Sequence, residues 1–209
     1  MILRAKHNFL VYPFFKRYAV WIIKRHFKEI RVIGDYTINE RSLLLISNHI
    51  SWWDGFWAMF LNVKIFKKKF HFMMLEEQLR KYWFFNYTGG FSVSKRSKSI
   101  VETLNYTSDL LNDNRNMVLI FPQGEIQTMH NQKFEFEKGL ERILKNKENS
   151  IQIIFLASLV DFFSNSKPSI YLYLSEFNVI VLSVESIQSK YNEFYSQCVE
   201  KQMKLIVEE

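Results

Sequence analysis

The stretch Leu43-Leu44-Leu45-Ile46-Ser47-Asn48-His49-Ile50-Ser51-Trp52-Trp53-Asp54 decides how this chain is read. Four consecutive aliphatic residues predict a strand buried on both faces. Turn-prone polar residues follow, then a helical pattern. In open α/β sheets, ligands bind beyond the carboxyl ends of the strands, and His49 would emerge there. An imidazole can take a proton from a hydroxyl at neutral pH. A carboxylate such as Asp54 on its other nitrogen would fix the tautomer and steady the imidazolium. A spacing of five does not put two side chains on one helix face, but it works at a strand-to-helix junction. A plainer reading stays open, because Ser51 and Asp54 also form an S-x-x-D pattern that caps a helix.

Outward from this stretch, strand-like and helix-like segments alternate. Strands are expected at 43–47, 70–75, 91–94, 117–121, 151–158, 169–174 and 179–184. Helices are expected at 52–62, 76–87, 98–112, 137–147 and 187–207. The pattern predicts one α/β domain, residues 36–209, with a central mixed, largely parallel sheet flanked by helices. Residues 1–35 stand apart as an N-terminal amphipathic segment. Phe14, Tyr18, Trp21 and Ile22 recur at helical spacing, and Arg17, Lys24, Lys28 and Arg31 recur on another face, with Pro13 suited to the first turn. Aromatic residues beside a basic face fit a helix lying in a membrane interface; a helix docked on the protein's own core fits as well.

Two further segments carry chemistry. In Met117–Glu125 an apolar strand runs into Pro122 and Gly124, which would present Gln123 and Glu125 at the same sheet edge as His49 if the strands are parallel. In Thr88–Arg96 two glycines feed a short strand ending in Lys95 and Arg96, cations able to hold a phosphate. Ordinary turns explain each segment equally well in isolation.

Composition narrows the classes. The chain has 209 residues, 48% of them apolar and 17% aromatic, with 20 Phe, so it is a folded protein with an aromatic surplus to bury or to place at a lipid surface. A net charge of +7 favours polyanionic partners. The single cysteine, Cys198, excludes an intrachain disulfide and reads as structural or incidental. No run reaches the ~18 apolar residues of a membrane span. The histidines are scattered without metal-ligand spacing, no P-loop is present, and no metal or cofactor is expected. A nucleic-acid-binding module is the main rival on charge, but no such signature is found.

Taken in order, the three segments resemble the glycerolipid acyltransferase superfamily, best known for the 1-acyl-glycerol-3-phosphate acyltransferases. Its N-H-x4-D block is matched by Asn48, His49 and Asp54. Its G-x-F-x-V-x-R block is matched by Gly89, Phe91 and Val93, with Lys95 at the arginine. Its F-P-E-G-T-R-S block stands here as Phe121, Pro122, Gln123, Gly124, Glu125, Ile126 and Gln127, and Phe136–Gly139 resembles a following aromatic-Lys-Gly element. The likeness covers residues 40–160. It implies that His49 is the general base and Asp54 its orienting carboxylate, with Asn48, Lys95, Arg96, Gln123, Gly124 and Glu125 around the substrate. It implies acyl transfer from coenzyme A or acyl carrier protein to the hydroxyl of a membrane lipid, with backbone N–H groups near Gly124, or a cation, holding the oxyanion. The protein is then expected on the cytoplasmic face of a membrane, peripheral or monotopic, against anionic headgroups met by the N-terminus and the run 64–71. Three positions depart from the pattern: Ile126 replaces an arginine that holds the acceptor's phosphate, Gln123 replaces a glutamate, and 153–156 lacks a following proline. A non-phosphorylated lipid alcohol therefore stands beside a lysophospholipid as acceptor. A non-catalytic membrane-surface protein on the same fold is the alternative.

Overall fold

The computed structural model describes residues 2–94, 99–147, 150–178 and 183–205. Seven strands form one sheet in the order β1-β7-β6-β2-β5-β3-β4. They are β1 (Glu29–Ile33), β2 (Ser42–Ser47), β3 (Lys69–Leu75), β4 (Gly90–Val93), β5 (Asn116–Ile120), β6 (Ile151–Asp161) and β7 (Ser169–Glu176). From β6 across to β4 every neighbour is parallel, whereas β7 runs antiparallel to β6 and β1 parallel to β7. The sheet is thus mixed and mostly parallel.

The aliphatic run behaves as a central strand must. Leu43 and Leu45 enter the core on one face of the sheet, and Leu44 and Ile46 enter the core on the other. The first face is covered by α1 (Val11–His26) and α2 (Asp54–Leu61), and the second by α4 (Ser99–Leu110), α5 (Leu140–Leu144) and α6 (Val184–Met203). A short helix, α3 (Glu76–Lys81), follows β3.

Residues 2–35 are woven into this body. Phe15, Ala19, Ile23 and Phe27 are buried, at the four-residue spacing of one helix stripe, and β1 pairs with β7. The helix ends at His26, and Phe27 is already extended. Arg31, expected on the basic helix face, lies instead in β1, a strand the sequence did not announce. The helix expected at 76–87 is broken at Tyr82 into α3 and a 3-10 turn, Trp83–Tyr87. The one expected at 137–147 shrinks to Leu140–Leu144 behind Gly139, whose φ of 121° is not helical. The strand expected at 179–184 falls mostly outside the described residues, and Val184 begins α6. Cys198 is buried on α6, where burial pushes its thiol up to about 12.

Candidate active site

Because β2 and β5 are parallel and in register, with Ile46 beside Ile120, the 48–54 and 121–127 segments leave the sheet at one edge. There the His49 Nδ1 lies 2.6 Å from the Asp54 Oδ2. An ionised carboxylate only accepts, so this contact assigns the ring proton to Nδ1 and leaves Nε2 as a bare acceptor. The same Oδ2 accepts the backbone N–H of Ile50 at 2.8 Å and of Ser51 at 2.9 Å. The capping and pairing readings of Asp54 are therefore one arrangement: its carboxylate shapes the loop and holds the ring together. The Ser51 Oγ accepts from Trp53 N instead, at 3.2 Å.

Asp54 is 2% exposed, while the His49 side chain keeps 23% of its surface. Burial pushes the Asp54 carboxyl up from its ordinary range, and the hydrogen bonds from His49, Ser51 and Ile50 pull the other way. Its Oδ1 is buried with no hydrogen-bond partner among the described residues, a costly condition for a carboxylate oxygen.

The other expected site residues divide. Gln123 is buried, and its amide clamps the His49 backbone from both sides, its Oε1 accepting from His49 N at 3.2 Å and its Nε2 donating to His49 O at 3.1 Å. Asn48 is fully buried, with its amide engaged on Ser158: Nδ2 donates to the carbonyl at 3.1 Å and Oδ1 accepts the N–H at 2.9 Å. Both side chains, expected on the substrate, are turned to the protein because buried amides must find partners. Glu125 is exposed on the loop. Gly124, with φ of 70°, makes the turn out of β5, and its N–H donates to Phe121 O at 3.0 Å. Of the backbone N–H groups near Gly124 expected around an oxyanion, its own is thus engaged within the turn. Lys95 and Arg96 lie outside the described residues.

Several neighbours escaped the sequence reading. The Phe121 ring stacks on the His49 imidazole, with centroids 4.0 Å apart and planes 12° apart. Gln127 N donates to His49 O at 2.8 Å. From α6, Asn192 and Gln188 bond the backbone of Phe134 and Phe136, steadying the long connection after β5. Phe121 belongs to the F-P-x-G segment after β5, whereas the roles of the α6 residues leave no local trace in the sequence.

A groove of about 470 Å³ opens beside Ile50 and Ser51. Phe27, Trp53 and Trp57 form apolar walls, and Ser51, Thr128 and His130 add polar groups. Among the described residues no Lys, Arg, Asp or Glu lines it. Ile126, 57% exposed, stands on the loop that supplies its far side.

The aromatic surplus is also partly accounted for. Phe14, Tyr18 and Phe56 connect through Trp52 to Tyr82 and Phe84, with neighbouring ring centroids 5.4–6.5 Å apart. Phe14, Trp21, Trp52 and Trp83 are each at least half exposed. Two aromatic segments distant in sequence thus form one surface that adjoins the His49 loop through Trp52. No helix among the described residues is long and apolar enough to cross a membrane.

With this geometry in place, comparison with known proteins is decisive for the class. The acyltransferase family model matches residues 29–158, most of the chain, and the chain belongs to that family. Its fold is similar to the crystal structure of the 1-acyl-sn-glycerophosphate (LPA) acyltransferase PlsC from Thermotoga maritima, with a TM-score of 0.64 and 17% identity over 92% of this chain and 80% of that one. No curated protein matches by sequence.

Proposed function

We propose that this acyltransferase moves a fatty acyl group from a thioester, on coenzyme A or acyl carrier protein, to the hydroxyl of a membrane lipid. The observation that carries this reading is the 2.6 Å contact from His49 Nδ1 to the Asp54 carboxylate, which leaves Nε2 ready to accept a proton. In the reaction Nε2 takes the acceptor's hydroxyl proton as that oxygen attacks the thioester carbonyl carbon. The tetrahedral intermediate collapses, the C–S bond breaks, and the thiolate leaves, taking the proton back from His49. Asp54 holds the ring and balances its transient charge. No covalent acyl-enzyme is needed.

For the acceptor, the geometry favours an uncharged headgroup over a phosphate. The groove beside the loop offers aromatic walls, two hydroxyls and an imidazole, but no Lys or Arg among the described residues. Such a lining suits a hydroxyl-rich lipid alcohol, and the described residues that form it supply a phosphate dianion no countercharge. A lysophospholipid remains the competing acceptor. The exposed aromatic surface beside Trp52 supports attachment at a bilayer interface, where aromatic rings are favoured.

The test is to incubate the purified protein with an acyl thioester and a total lipid extract, then identify the acylated lipid by mass spectrometry. The expected product is an ester of a neutral lipid alcohol. Acylation of a lysophospholipid alone would correct the acceptor, and no acylated lipid at all would remove the enzymatic reading.

A further inference from the structure

We infer that the groove between α1 and the end of α2 is a binding site for the phosphate of an anionic lipid headgroup, separate from the His49–Asp54 pair. The two basic segments of the sequence, 16–24 and 64–68, are walls of one cavity of about 660 Å³. Lys16, Arg17 and Lys24 of α1 face Lys64, Lys67 and Lys68 across it, and no carboxylate among the described residues lines it. Glu40 partly offsets the charge of Lys68, and the cations gathered in this concavity together attract an anion.

The individual groups sharpen this. Lys68 is structural: its Nζ donates to the carbonyls of Arg41 at 2.7 Å and Asn114 at 2.9 Å. Lys16 sits 4.9 Å over the Tyr12 ring. Arg17, Lys24, Lys64 and Lys67 make no ion pair among the described residues, so four charges remain available. Their platform is fixed. The π-helical turn Asn62–Phe66 ends at Lys67 in the left-handed region, with φ of 54°. The buried Asn62 side chain pins the Lys68 backbone by donating to its carbonyl at 2.9 Å and accepting its N–H at 3.0 Å.

A lipid rather than a soluble phosphate is indicated by what adjoins the charges. Val20, Trp21 and Val63 give the groove an apolar part. Trp21 packs on Tyr18 at 5.9 Å, and Tyr18 stacks on Phe14 at 6.3 Å, so the groove opens directly onto the exposed aromatic surface. A headgroup phosphate among the cations leaves its glycerol and chains beside those rings. A dedicated phosphate site predicts more than attraction to negative charge.

The test is vesicle pelleting of the full chain against phosphatidylcholine containing either phosphatidic acid or oleate at matched surface charge. The expected result is preference for phosphatidic acid, lost in the triple variant Arg17→Ala/Lys64→Ala/Lys67→Ala with affinity falling on the order of 100-fold. A charge-matched control, Lys145→Ala/Lys190→Ala/Lys201→Ala, should keep the preference. If the groove triple variant does not fold, the exposed Lys64→Glu substitution serves instead. Equal binding to both anions, or equal loss in groove and control variants, would overturn the site. Inorganic phosphate that raises the wild-type thermal midpoint without any vesicle preference would assign the groove to a soluble ligand and overturn the lipid reading. Pelleting needs no turnover, so failure here and failure of the acyltransferase reaction are separately visible.

Discussion

Two places in this molecule hold buried or part-buried imidazoles, and they differ in a single kind of partner. At the carboxyl edge of the sheet, the His49 Nδ1–H donates a hydrogen bond to the buried carboxylate of Asp54. Near the start of β3, His7 and His71 meet edge to face with ring centroids 4.7 Å apart. There His7 Nε2 donates to Phe70 O at 2.9 Å, and His71 Nε2 donates to Asn116 Oδ1 at 3.2 Å. Among the described residues neither ring has a carboxylate at hydrogen-bond distance, and the more distant charge of Asp113 only partly offsets the burial of His71. Burial lowers His7 to about 4 and His71 to about 3, each further disfavoured by Lys69. Burial alone makes a histidine a neutral packing element; a carboxylate at hydrogen-bond distance makes one that can accept a proton and stabilise the resulting charge. The His7–His71 pair serves the fold, closing the 2–8 segment over β3 and β4, where His7 bridges Thr88 and Leu3 pairs with Ser92.

The largest expected contrast lies in turnover. His49→Ala should lower the acyl-transfer rate by ~10²–10⁴-fold with its circular dichroism unchanged. His71→Gln should leave the rate per folded molecule within about twofold and lower the thermal midpoint, the cost of disturbing a buried bond. If His71→Gln proved as damaging to turnover as His49→Ala, the distinction between the two sites would fail.

Asp54→Asn comes next. An asparagine Oδ1 can still accept from Ile50 and Ser51, so the loop is kept, but the carboxylate's charge is gone. The rate should fall by ~10²-fold, with kcat carrying the loss and KM little changed. A modest stability loss of roughly 0.5–2 kcal/mol with normal turnover would mean that Asp54 is a cap and nothing more.

Gln123→Ala should be milder, about tenfold in kcat, because it frees the His49 backbone and touches no reacting atom. Gln123→Glu keeps the acceptor for His49 N–H and loses the donor to its carbonyl, so it should fall between the wild type and the alanine variant. Steady-state kinetics on the two variants checks the order.

The smallest effect is on stability against pH. The unfolded chain takes up protons on His7 and His71 near pH 6.5, whereas the native chain binds them only toward about 4 and 3. The native state therefore holds fewer protons in this window, and stability falls as pH drops below 6.5. Thermal midpoints measured between about pH 6.5 and about pH 5 should decline, with a shallower slope in His71→Gln.

The sheet's centre was legible because its signal is local: Leu43–Ile46 and Met117–Ile120 are apolar runs with turn residues after them. The edge strand β1 was not. Ile30, Val32 and Ile33 favour a strand, but Lys24, Lys28 and Arg31 mimic a helix face, and pairing with β7 lies far off in sequence. His49 and Asp54 could be named together because the loop joining them is short. Asn48 and Gln123 look like substrate contacts in the sequence because their partners, Ser158 and the His49 backbone, lie 110 and 74 residues away. The aromatic face failed to announce itself for the same reason. The break at Tyr82 that turns a helical pattern into a 3-10 turn brings Trp83 and Phe84 to the surface, and it carries no glycine or proline.

The most direct measurement is the release of free thiol from an acyl thioester, followed with a thiol reagent in vesicles of the acceptor lipid alongside ester formation. Cys198 is buried and is the chain's single cysteine, so the protein itself adds little signal. One thiol should appear per ester formed, only with acceptor present, and both should vanish in His49→Ala. Thiol release and ester formation at the wild-type rate without that imidazole would contradict the account.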